Sequence, residues 1–148
     1  MVVLQKHCKK HSRPVKEADF ERIKEVAEDM ITLCRAPLGQ YPFAFALAHC
    51  QVNHQDPMAF FVTHDGRVII NPKIVGYSIE SAKEEEGCYS YAFRAPKIMR
   101  RHTVVYVDYE FMGADGSVNQ ARARRFSGDW ARVFQHELDH FHGCAIFS

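Results

Sequence analysis

Residues 135–141 read Gln-His-Glu-Leu-Asp-His-Phe and contain H-E-x-x-H. Residues four apart on an α-helix share a face, about one turn up. His136 and His140 can therefore offer ring nitrogens to one metal ion, and Glu137 can reach a water on that ion and take its proton. Val133 and Phe134 precede the motif, Phe141 follows it and Gly143 closes it. The pattern predicts a buried helix from about Asp129 to His142 with a glycine stop; a solvated charged helix would not interleave apolar residues in this way. A second stretch, Glu86-Gly87-Cys88-Tyr89-Ser90, sets a thiol after glycine in a polar turn, exposed enough to act as a ligand or nucleophile rather than as core. A third is the small apolar run 43–52, in which Gln51 stands near the end as a lone amide. An amide there is ordinarily a strand-end residue satisfied by backbone, and gains interest only through its partners.

Elements must bring these pieces together. Residues 1–16, broken by Pro14, read as an irregular arm. Phe20, Ile23, Val26, Ala27, Met30 and Ile31 recur at helical spacing, predicting a core-packing helix capped by Asp19 and ending near Cys34, before Pro37. Ala59–Thr63, a turn at 64–66, and Arg67–Ile70 form an expected β-hairpin stopped by Asn71-Pro72. Lys73–Ile79 reads as another short strand, and Glu84 and Glu85 as solvated. Residues 103–111 and 118–126 read as a strand pair across the turn at 113–116.

The chain has 148 residues, 47% of them hydrophobic, and a net charge of +1, which suits one domain over 1–148 with a substantial core. A nucleic-acid footprint would need a clustered basic surplus; the stretches at 9–13 and 122–125 are short. No apolar run approaches the ~20 residues of a membrane span, and no signal-like apolar core opens the chain. Five cysteines, an odd count, fit a reducing compartment better than a disulfide framework. The expectation is a soluble, cytoplasmic protein whose Cys8, Cys34, Cys50 and Cys144 are plain thiols.

Taken in order, the three motifs resemble those of the peptide deformylases, whose signatures are G-x-G-L-A-A-x-Q, E-G-C-L-S and Q-H-E-x-D-H. The likeness extends along the whole chain. It implies an α+β fold with antiparallel sheets around a central metal-bearing helix, and a Cys88, His136, His140 ligand set with water in the fourth position, the open arrangement that catalytic metals keep. Family members usually use Fe(II), with zinc, nickel or cobalt as substitutes; geometry alone would suggest zinc. The resemblance further implies attack of hydroxide on a formyl carbon, with Glu137 as general base. The Gln51 amide, the Tyr89 backbone N–H and the metal would hold the oxyanion. Substrate contact is implied at Phe45, Ala46, Glu86, Gly87, Arg132 and Val133, and Glu86 and Asp139 could orient ligands. The implied partner is an N-formylated nascent peptide, met near the ribosome exit by a monomer.

The chain also departs from the family pattern. Ala44 and Ala46 stand for the two glycines, His49 for an alanine and Tyr89 for a leucine. Asp129, Arg132 and Val133 occupy positions that normally line an apolar methionine pocket, where Asp129 and Arg132 could pair as i and i+3. The chain stops soon after the metal helix, without the C-terminal helix of many bacterial members. These departures motivate two alternatives: an amidase for another small N-acyl substrate, and a non-catalytic metal-binding relative.

Overall fold

The computed structural model describes residues 2–5 and 8–145; arm positions 1, 6 and 7 and the chain end at 146–148 lie outside them. After a 3₁₀ turn at Glu17–Asp19 comes α1, Phe20–Arg35. Asp19 does not cap it with its side chain. Its carboxylate instead accepts the Lys16 N–H at 2.8 Å and pairs with Arg13 at 2.9 Å, which ties the arm to the start of the helix. Strand β1 is Ala46–Ala48, a 3₁₀ turn spans His49–Gln51, and β2 (Phe60–Thr63) turns back through Gly66 into β3, Val68–Tyr77. Two further strands, β4 (Ser81–Glu86) and β5 (Lys97–His102), flank the Cys88 turn. They are followed by β6 (Val104–Met112), β7 (Val118–Ser127) and α2, Gly128–Phe141.

Strands β1-β2-β3-β6-β7 form one antiparallel sheet in that order, and β4-β5 form a separate two-stranded ribbon. The expected α+β architecture is present, with the two helices on opposite faces of the larger sheet. Strand alternation explains this arrangement. Phe60, Val62 and Ile70 pack toward the α1 side with Ile23, Ala27 and Met30. Phe61 and Ile69 pack toward the α2 side with Val105, Val107, Ala131 and Phe134. All four residues of β2 are buried, as befits a strand covered on both faces. Each such large side chain contributes about 1.5–3 kcal/mol by leaving water.

Two local expectations are corrected. Asn71-Pro72 does not end a strand: β3 runs through it with a register shift between Ile70 and Lys73. Asn71 takes φ 49°, a conformation its short polar side chain tolerates. The β4–β5 ribbon was not expected, since its lysines and glutamates have little intrinsic strand preference; strand pairing and the contacts described below outweigh that. At the other end, Gly143 (φ 76°) stops α2 where the glycine signal placed it. A Cβ there would run into the Lys9 backbone carbonyl. Among the described residues, no helix is long and apolar enough to cross a membrane.

Candidate metal centre

Two pieces of chain supply the donors. Cys88 follows β4, while His136 and His140 project from one face of α2. Their ligand atoms all lie within 4.8 Å of one another, with His140 Nε2 3.4 Å from Cys88 Sγ. Cys88 is only 3% exposed, which corrects the expectation of an exposed thiol. Gly87 allows this: Tyr41 lies where a side chain at 87 would stand, and its ring covers the turn.

The second histidine nitrogen is fixed from behind. His136 Nδ1 donates to Glu86 Oε1 at 3.0 Å, leaving Nε2 for the centre. Glu86 is in turn gripped by Arg101, Nε to Oε2 at 3.0 Å and Nη2 to Oε1 at 3.0 Å. Arg132 Nη2 donates to Oε2 at 2.8 Å. Burial pushes the Glu86 carboxyl up, but bonds from His136 and Arg101 outweigh it and hold the pKa at about 2. Burial likewise disfavours charged His136, yet its hydrogen bonds to the Cys88 sulfur and Glu86 raise its pKa to about 10. Arg132 does not pair with Asp129, which is exposed; Glu86, in a strand the sequence did not reveal, offers it a buried partner instead.

Glu137 is buried, and its Oε2 has no hydrogen-bond partner. Burial pushes its pKa up to about 7. Gln51 is equally enclosed. Its Oε1 accepts the Ala48 N–H at 2.9 Å, and its Nε2 donates to Ser90 Oγ at 2.9 Å and lies 3.8 Å from Cys88 Sγ. The Ala48 bond settles which way the amide faces: donors toward the centre. Tyr89 opens a 3₁₀ turn, and the first N–H groups of such a turn have no partner within it. The tyrosine hydroxyl donates away from the centre, to the Ala36 carbonyl.

These groups line a cleft of about 260 Å³. Phe45, Ala46, Glu86, Gly87, Arg132 and Val133 all reach its wall, as does Ala44 of the first motif; so do Tyr41 and Phe43, which sequence reasoning did not assign to it. Their signal was the loop at 36–42 and the small-residue run after it, neither of which shows that the chain folds back over Gly87. Arg101 was also missed, hidden in a plain basic strand. His49, which stands for an alanine of the family pattern, is core: it is 1% exposed, stacks on Phe60 at 4.8 Å and accepts the Met58 N–H at 2.9 Å.

Comparison with known proteins gives the same reading. The polypeptide deformylase family model matches residues 2–148. Peptide deformylase 2 of Shewanella oneidensis is 32% identical over 75% of this chain and 57% of its own length. Peptide deformylase of Staphylococcus epidermidis is 29% identical over 97% of this chain and 82% of its own. The crystal structure of peptide deformylase from Thermotoga maritima superposes with a TM-score of 0.77, at 28% identity, over 99% of this chain and 95% of that one. The chain thus belongs to the peptide deformylase family, metal-dependent hydrolases that remove the formyl group from nascent peptides.

Proposed function

We propose that Cys88, His136 and His140 hold the divalent ion of this family and that Glu137 carries the proton in removing the formyl group from formyl-methionyl peptides. The observation that carries this reading is the buried Glu137 carboxylate, one oxygen unpartnered, beside a triangle of ligand atoms of which Cys88 and His136 line the cleft. The donor set fits a cation: one sulfur and two imidazoles, with the His136 Nδ1–H held by Glu86. Fe(II) is the ion we assign, on the family resemblance, with zinc, nickel or cobalt able to replace it.

Such an ion acidifies a coordinated water and polarises the formyl oxygen. Glu137 takes the proton from the attacking water at its carboxylate and delivers it to the departing amine nitrogen. Burial, which pushes this carboxyl up, makes it a better proton acceptor than an ordinary glutamate. Gln51 Nε2 and the Tyr89 N–H donate to the oxygen on which charge develops. The cleft takes the methionine side chain along Phe45, Ala46, Gly87 and Val133, while the Glu86–Arg132 pair spends its charge internally. That pairing removes the Asp129–Arg132 part of the support for a different N-acyl substrate. The substrate backbone runs along the β1 edge, which β2 leaves open on one side. We place the enzyme in the cytoplasm, near the ribosome exit and as a monomer. Five free cysteines support a reducing setting.

The test is formate release from formyl-Met-Ala-Ser by protein purified anaerobically with Fe(II), alongside Glu137→Ala. Turnover should fall about 10²–10⁴-fold in the variant with the metal still bound. A metal-loaded native protein that releases no formate would overturn the reading.

A further inference from the structure

Arg132 stands one helical turn before His136, and both reach the same carboxylate. Arg132 donates to Glu86 Oε2 at 2.8 Å and His136 to Oε1 at 3.0 Å. With Arg101 bonded to both oxygens, the carboxylate has four donors, as many as it has acceptor sites. The guanidinium of Arg132 is also lodged in the ribbon, donating to the Met99 carbonyl at 2.7 Å and the Ala82 carbonyl at 3.2 Å. Its side chain is 11% exposed and that of Glu86 is 9% exposed.

Arg101 meets Asp139 at 2.7 Å on its outer side and Arg132 meets Glu84 at 3.3 Å. Each arginine therefore shares one interior acid, Glu86, and has a rim acid of its own. A hydrophobic residue at 132 would leave Glu86 Oε2 with Arg101 as its one remaining donor, and the carboxylate with His136 as its one remaining tie to α2.

We propose that Arg132 is a positioning residue for the metal centre: by holding Glu86 against His136, it keeps the His136 nitrogen aimed at the ion. This rests on the assignment of Cys88, His136 and His140 as ligands. Arg132 touches neither ligand atoms nor reacting atoms; its effect passes through Glu86. Loss of a group that orients a ligand typically weakens metal binding 10–100-fold. The added positive charge near a cation works the other way, but Glu84 and Glu86 offset it.

The test is the Kd for Co(II), measured by chelator competition and read in the thiolate-to-cobalt absorption. Arg132→Met is expected to weaken binding at least tenfold, and Arg132→Lys, which can still donate to Glu86, to recover part of it. Arg132→Gln, with the charge removed, serves if the methionine variant does not fold, and should also bind more weakly. Glu86→Gln should weaken binding as well, and adding Arg132→Met to it should bring little further loss, because both act through one contact. Unchanged or tighter binding in Arg132→Met or Arg132→Gln overturns the proposal. So does full additivity with Glu86→Gln, which would mean Arg132 acts only through the strand carbonyls. Cys88→Ala separates the two readings. If the native protein fails to bind, or Cys88→Ala binds as well as native, the ligand assignment falls and the proposal with it.

Discussion

A single imidazole shows how far burial can reshape a side chain. His49 accepts the Met58 N–H and lies in the core, and burial pushes its pKa from 6.5 down to about 4. Its folded value lies below the unfolded one, so the unfolded chain binds the extra proton first. Stability is then full above pH 6.5, falls as pH drops toward 4, and flattens below that. The gap amounts to about 3 kcal/mol. His49→Asn, which can keep an acceptor for Met58 but does not titrate, should be less stable at pH 7 yet lose less between pH 7 and 4 in urea unfolding. A variant with the same acid slope as the native protein would count against this account. Residue identity was legible where chemistry demands a pattern: His136, Glu137 and His140 by helical spacing, Cys88 and Gln51 by their motifs. It was not legible for His49 or Arg101, whose roles are set by neighbours distant in sequence, nor for the burial of Cys88, which depends on where Tyr41 folds.

Elements were legible in proportion to their periodicity. Helix α1 and the β2–β3 and β6–β7 pairs follow their apolar patterns. The ribbon does not, because charged residues such as Glu86 and Arg101 point into the protein there only once each has met its partner. Asn71 shows a second way in which local rules fall short. A residue that reads as a strand stop instead stitches the arm to the sheet: its side chain accepts the Val15 N–H at 2.8 Å and donates to the Val15 carbonyl at 2.9 Å and to Glu110 at 3.0 Å. Asn71→Ala should cost about 2–4 kcal/mol through these bonds and the left-handed backbone. Asn71→Gly should cost less by about 1 kcal/mol, since glycine removes only the backbone strain. Urea midpoints for the pair measure the two contributions separately, and equal losses would assign the whole effect to the hydrogen bonds.

The molecule as a whole is joined at the candidate metal centre, because Cys88 hangs from the ribbon and the histidines from α2. A two-stranded ribbon is marginal by itself; here Arg101 and Arg132 fasten it, and an ion held by Cys88, His136 and His140 would add a third tie. Free ion at a thousandfold over Kd should stabilise the protein by about 4 kcal/mol, or roughly 10 °C in Tm for a chain of this size. Chelation should therefore lower Tm and speed amide exchange in residues 81–102 while leaving the centre of α1 protected. Equal acceleration in both regions would show that the ion does not fasten the ribbon in particular. The arm carries a different consequence. It reaches the site by main-chain bonds, Gln5 N–H to the Gln51 carbonyl and Ser12 N–H to the Phe141 carbonyl, each at 2.8 Å. Such bonds depend on the path of the chain and hardly on which side chains it carries. Exposed positions such as Lys9 and His11 are thus open to evolutionary drift in identity, whereas losing one residue would pull the arm out of step with both the amide donor and the end of the metal helix.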